Sequence, residues 1–252
     1  LRADGEQVVG MPDPGGTRIY SGTAKTVSAS ITADRTLPVR TLTAEDLILA
    51  GNQNQDVIAA SRIDVALQRH SDAAGPDTGG GYDLSVQASD LRLPARLRLP
   101  LGEDVSRLTL DADVIGDLHA RPWPDGLFAW RDTGGVVEVT ALDVRYGPLR
   151  ITGVGTMALD GAGQPMGTFN ARAEGLPETI DALDRRGLFR AAGLGAASAK
   201  LAIRVLSQPS ETGVRGISGP LTLRDRTLSV ASFPLLRVPA IRWRPLTLDS
   251  PR

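Results

Sequence analysis

Two histidines, His70 and His119, are the side chains here best suited to general acid–base work, because an imidazole titrates near neutral pH. His70 follows a strand-like run and opens a polar loop, and His119 precedes Arg121-Pro122. A Ser-His-Asp triad needs such a histidine beside a nucleophile on a sharp turn, and the sequence has no Gly-x-Ser-x-Gly elbow. Both are expected to be solvated loop residues. Asp111, Asp113 and Asp117 raise the chemistry of calcium or of paired carboxylates, since Asp111 and Asp113 share a strand face and could approach one ion. They alternate with Leu110, Ala112 and Val114, however, as wet-face positions of any strand do. Gly79-Gly80-Gly81 and Gly153-Val154-Gly155 lack the following helix and lysine of a phosphate loop, and read as a flexible loop and a strand bulge. Of the large rings, Trp123, Phe128 and Trp130 gather around one short helix, while Phe189 and Trp243 lie further on. The three that gather are expected to plug an end of the fold rather than to stack on a sugar or base. We expect no enzyme, no catalytic residue, no metal and no cofactor.

Composition narrows the classes further. The chain has 252 residues, 41% of them apolar but only 4% aromatic, so its core is built from Leu, Val, Ile and Ala. That content is enough for a folded domain. Basic and acidic residues number 28 and 29, interspersed, for a net charge of −1. No dense Lys/Arg run appears, which argues against nucleic acid as a partner. Lys25 and Lys200 are the lone lysines beside many arginines, an imbalance that reads as coding bias. There is no cysteine, so disulfides, thiolate metal sites and thiol nucleophiles are excluded. The longest weakly polar stretch, Ala191 to Val205, contains Lys200 and Arg204 and is too short to span a bilayer.

The elements that would position any site are strands. Val27, Ala29, Ile31 and Ala33 alternate with Thr26, Ser28, Ser30 and Thr32 in strict period two. Val39–Ala50 and Val57–Gln68 form an expected hairpin, and Leu84, Val86 and Ala88 mark the next strand. Leu93-Pro94 and Leu99-Pro100 bound an irregular connection before Leu108, Leu110, Ala112 and Val114 resume the alternation. A short helix is expected over Gly126–Thr133, then strands over Val136–Tyr146, Leu149–Leu159 and Met166–Glu174. The period changes between 176 and 206. Leu176, Ile180 and Leu183 follow i, i+4, i+7, with Pro177 in the first turn and Gly187 as a cap. A second helix, about Arg190–Leu206, carries Leu194, Ala197, Leu201 and Val205 on one side. Strands return at Gly216–Leu223 and Leu228–Val230, around an Asp225-Arg226 turn, before an apolar, proline-punctuated tail from Phe233 to Trp243. The fragments Thr43-Ala44-Glu45-Asp46-Leu47 and Gln87-Ala88-Ser89-Asp90-Leu91 resemble each other, and read as chance echoes of strand chemistry rather than a repeat.

Short connections between sequential strands make them antiparallel. The expected fold is a single mostly-β domain over residues 1–252: a long, curved antiparallel sheet with a two-helix insertion at about 176–206 near the C-terminus. Its concave side should carry the more apolar stripe, with Leu49, Ile63, Val65, Leu84, Val86, Leu108, Leu110 and Val139 as groove candidates. The helical pair, with Leu176, Ile180, Leu183, Leu194 and Leu201 as lid candidates, either completes the core or forms a movable or membrane-facing cover.

Particular stretches carry a family resemblance. Ala129-Trp130-Arg131-Asp132-Thr133-Gly134-Gly135, Gly161-Ala162-Gly163-Gln164-Pro165 leading through Ala173-Glu174-Gly175-Leu176, Gly219-Pro220-Leu221-Thr222-Leu223, and Phe233-Pro234-Leu235-Leu236-Arg237-Val238-Pro239 together resemble an alphaproteobacterial family known as domain of unknown function 2125. The resemblance covers about residues 128–243, with the strand rhythm and Leu91-Arg92-Leu93-Pro94 agreeing before that. It implies a periplasmic protein attached to the inner membrane by an upstream anchor, with further strands upstream and a sheet similar to AsmA-like lipid grooves. Phospholipid or another acyl lipid is then the expected partner. The rival expectation is a closed-core structural module that engages another envelope protein through edge strands and the tail prolines Pro234, Pro239 and Pro245.

Overall fold

The computed structural model describes residues 2–13, 16–30, 41–51, 56–69, 81–97, 99–116, 124–187, 196–209, 214–230, 233–237, 240–241 and 243. His70, His119, Asp117, Trp123, Phe189 and Leu194 lie outside the described residues, as do Gly79 and Gly80.

One antiparallel sheet dominates. Its strands are β1 (Arg2–Asp13), β2 (Gly16–Ser30), β3 (Thr41–Gly51), β4 (Val57–Arg69), β5 (Gly81–Arg92), β6 (Asp104–Ile115), β7 (Val136–Tyr146), β8 (Leu149–Leu159), β9 (Pro165–Glu174), β11 (Arg215–Arg224), β12 (Thr227–Val230) and β13 (Phe233–Arg237), and they pair in that order. The short β10 (Gln208–Pro209) lies alongside β11. The sheet is not closed into a barrel. Each strand pairs mainly with its chain neighbours, the arrangement that short turns enforce. β1 forms a hairpin with β2, Asp13 standing opposite Gly16.

Among the described residues three helices interrupt the strands: α1 (Asp125–Asp132), α2 (Leu176–Arg185) and α3 (Ala196–Leu206), with a 3-10 turn at Ala95–Leu97. Pro177 occupies the first turn of α2, where its missing N–H leaves no bond unmade. Gly187 closes that helix at positive φ, donating to the Asp184 carbonyl. The Asp225-Arg226 turn has both residues at positive φ, the geometry of a tight hairpin whose twist matches its strands.

The two echoing fragments occupy matching places, which corrects the reading of them as chance. Asp46 in β3 and Asp90 in β5 are left-handed, with φ of 48° and 50°. They lie on either side of Ser61 in β4, whose hydroxyl donates to the Asp90 carboxylate at 2.8 Å. Across this row the apolar stripe changes parity: Leu42 and Ala44 give way to Leu47 and Leu49, Ile63 and Val65 to Ala60 and Ile58, Ala88 to Leu91. The covered side accordingly passes from Ala44 to Leu49, which is 1% exposed while Ile48 is 56% exposed. In both places a residue tolerant of the left-handed region absorbs the step, with no slip of register.

Candidate functional site

The most extended chemical feature is an apolar ladder. Following the register pairs across the sheet, Ala3, Val27, Ala44, Ile63, Ala88, Leu108, Val144, Ile151, Ala173 and Ile217 stand opposite one another in one unbroken row over ten strands. A second row on the same face runs Ala29, Leu42, Val65, Val86, Leu110, Leu142, Gly153, Ala171 and Gly219. A third takes Leu67, Leu84, Ala112, Val139, Gly155, Phe169 and Leu221. With strands about 4.8 Å apart, the first row spans about 43 Å across the strands.

The opposite face has the reverse chemistry. Glu45 and Arg62, Arg62 and Asp64, Asp143 and Arg150, and Arg172 and Glu174 form ion pairs there, at 3.0 Å for Arg62–Glu45 and 2.8 Å for Arg172–Glu174. The Arg62 guanidinium, by hydrogen bond, holds the Asp64 carboxyl below the usual carboxylate range. A shallow depression of about 300 Å³ also opens on this side, with Gln68, Asp83, Ser85, Asp111, Asp113 and Thr140 at its wall. Asp111 and Asp113 therefore do share a wet face, but among the described residues no group of three or more side chains is placed to hold a metal ion.

Packing of the apolar face concentrates at its two ends. At one end Tyr20, Leu49 and Ile58 are buried together with Val9 and Leu47 against them. Asp56, 3% exposed, is held there by Tyr20 (Oη–Oδ2 3.0 Å) and by Arg96 (Nε–Oδ1 3.0 Å), whose NH2 also donates to the Tyr20 hydroxyl at 2.9 Å. This buried carboxylate fastens the 3-10 turn to the ends of β2 and β3. A buried charge paired and hydrogen-bonded in this way is stable, whereas one stripped of its partners is not. Nearby, Tyr146 accepts from Leu101 N–H and donates to the Gly102 carbonyl, both at 2.8 Å, and burial pushes its hydroxyl pKa up.

At the other end Tyr82, Val114 and Trp130 form a second buried group, with Leu67, Leu84, Leu127, Val137 and Leu159 packed against it. The indole of Trp130, on α1, donates to the Ile115 carbonyl at 2.9 Å. Gly135 passes so close to that ring that an added Cβ would sit 2.2 Å from it, which accounts for the second glycine after the helix. Trp130 thus plugs one end of the sheet, while Trp243 donates to the Gly163 carbonyl of the neighbouring hairpin loop.

Between those ends the large side chains are left half-buried. Ile63, Val65, Val86, Leu108, Leu110, Leu142, Val144 and Ile151 all have intermediate exposure, while the small Ala44, Ala88 and Ala112 beside them are buried. Small residues thus alternate with branched ones along the ladder. Of the sequence-derived groove residues, Ile63, Val65, Leu84, Val86, Leu108, Leu110 and Val139 fall on this one face. Leu49 belongs to the buried end group beyond the Asp46 row. Sequence reasoning missed the continuation through Val144, Ile151 and Ile217, because pairing register, not alternation, brings them into the row.

The helices meet the sheet at its margin. The described contact is between α2 and β8, where Gly175 crosses so close to the Pro148 carbonyl that a Cβ would sit 1.8 Å from the oxygen. In α2, Thr179 and Ile180 are buried and Leu176 and Leu183 are half-buried. α3 packs on α2, with Lys200 paired to Asp181. Leu201 is 63% exposed and Val205 76% exposed. Ile203, also on α3, is half-buried. No helix among the described residues is long and apolar enough to cross a membrane.

The profile of a family described as an uncharacterized protein conserved in bacteria (DUF2125) matches residues 1–239. No curated protein and no solved structure matches the chain.

Proposed function

The chain belongs to that bacterial family, and from its sheet we propose that it is a non-enzymatic protein of the cell envelope that binds or conducts lipid along the apolar ladder. The observation that carries this reading is the row from Ala3 to Ile217: ten strands of uninterrupted apolar residues whose large central members are only partly buried. Monomeric proteins rarely leave so extended an apolar surface without an occupant. An acyl chain asks for apolar area and little hydrogen bonding, and the row offers that along a length of about 43 Å. One leaflet of bilayer hydrocarbon is about 15 Å deep, so a chain of that length fits within the ladder with room to slide. The ion pairs lie on the opposite face and leave the ladder free of competing charge. A periplasmic setting, with inner-membrane attachment through an upstream segment, is part of the same proposal.

The test is lipid mass spectrometry on organic extracts of the washed protein purified from bacterial periplasm. Stoichiometric phospholipid or fatty acid, lost in folded Ile63→Asp and Leu110→Asp variants, is the expected result. Lipid-free protein of unchanged stability would overturn the groove and leave a structural envelope module whose partner must be a protein.

A further inference from the structure

We propose that the outward side of α3 is a membrane-contact surface that lies on an anionic phospholipid bilayer, separately from the ladder. α3 presents an exposed apolar stripe. Ala197, Leu201 and Val205 follow one another at i, i+4, i+8 and so share one side, and all three are exposed. Lys200, also on α3, pairs with Asp181 of α2, and Ile203 is half-buried. A helix of a water-soluble surface normally turns such a stripe to the core. Val214, 47% exposed, adjoins Arg215, whose guanidinium donates to the Ser207 carbonyl just past the end of α3.

Charge selects the occupant. Between Asp184 and Glu211 the sequence carries five basic residues and no acidic one, in a chain whose two signs otherwise balance. Arg204 is exposed beside Leu201 and Val205, Arg215 is exposed beside Val214, and Arg185 and Arg186 are exposed at the end of α2. An apolar stripe flanked by arginines is the pattern of a helix lying in the plane of a bilayer, its apolar side about 5–10 Å into the headgroup boundary and its cations on anionic lipid. A second copy is a poorer occupant. A two-fold contact through this small stripe would set Arg204 near Arg204, and the stripe is far smaller than the ~800 Å² per partner of a stable interface.

The experiment is co-sedimentation of the chain with vesicles of phosphatidylglycerol and phosphatidylcholine, and with vesicles of phosphatidylcholine alone. Expected are binding to the anionic vesicles, weakening with added salt, and a loss of about tenfold or more in a Leu201→Asp/Val205→Asp variant. Because both side chains are exposed, the variant should keep the wild-type circular dichroism and melting curve. A Leu201→Ser/Val205→Ser variant gives the same comparison without new charge. Ile63→Asp, on the ladder, should bind vesicles as wild type does, which separates this surface from the lipid site. Failure of wild type to bind, equal binding to neutral vesicles, or unchanged binding by both α3 variants would each overturn the proposal. So would a dimer that forms without vesicles and is lost in the variants, which would give the surface to a second copy.

Discussion

Ile63→Asp is the sharpest perturbation of the ladder. Ile63 stands in β4 with Ala44 and Ala88 as its direct neighbours on either side, so it projects above them and is half-buried. Full burial of such a side chain is worth about 1.5–3 kcal/mol. About two-thirds of that is already realised in the lipid-free protein, so the substitution costs about 1–2 kcal/mol of stability, or about 2–8 °C in Tm for a chain of this size. The variant should therefore fold. Binding suffers more. An acyl chain lying over position 63 must desolvate the new carboxylate, and the basic groups of this region sit on the other face, at Arg62 and Arg150. Taking the penalty as about 3 kcal/mol gives roughly a hundredfold loss of affinity. The assay is displacement of a fluorescent fatty acid from delipidated protein, run beside mass spectrometry of co-purified lipid. Thr152→Asp is the control: it adds the same charge on the polar face, between Asp143 and Arg172 in register, and should leave lipid untouched. Equal affinity in wild type and Ile63→Asp, or equal loss in Thr152→Asp, would refute the reasoning.

Arg96→Ala leaves the buried Asp56 carboxylate with the Tyr20 hydroxyl but without its cation, and should lower stability by about 2–4 kcal/mol by thermal melting. Asp56→Asn, which removes the charge with its shape kept, should recover part of that loss in the Arg96→Ala background. Asp46→Gly should leave the melt unchanged or raised by up to about 1 kcal/mol, whereas Asp46→Val should lower it by about 1–2 kcal/mol, because a β-branched residue resists the left-handed region. The Asp64 carboxyl, titrated by NMR, should ionise below the ordinary range and return toward it in Arg62→Gln. Since its folded pKa is the lower one, the stability this pair contributes is present above the unfolded value near about 4 and fades as pH falls through the folded one.

Much of the architecture was legible because antiparallel strands with one wet face write their own alternation. β4, β6, β7 and β8 lie close to where period two put them, and α2 where the spacing of Leu176, Ile180 and Leu183 broke it. β1 escaped because Arg2–Asp13 is polar and glycine-containing, with Val8 and Val9 adjacent rather than alternating. The ladder was only half legible. Alternation tells which residues of one strand share a face; register, set by turns and bulges far along the chain, decides which residues of different strands meet. The parity step at Asp46, which alternation does not show, is what keeps Leu49 on the covered side, in the end group. Helical spacing likewise showed that Leu201 and Val205 share a side, but not that this side would be exposed.

The step at Asp46 and Asp90 explains how strands this long can serve one apolar surface. β2 through β6 run 11 to 15 residues, and over such a length the right-handed twist of each strand carries its side chains steadily round. A single alternating stripe would let the two ends of the sheet drift out of alignment. Here the apolar positions change parity at one row that crosses β3, β4 and β5, and the polar link from Ser61 to Asp90 lies on that row. Short of the row, Ile63, Val65 and Val86 stay half-open; beyond it, Leu49 and Ile58 close with Tyr20 under the turn held by Arg96 and Asp56. The same device therefore separates an open stretch of ladder from a sealed end. A groove for chains that must enter and leave needs that division, since an apolar face packed throughout would have nothing left to offer a lipid.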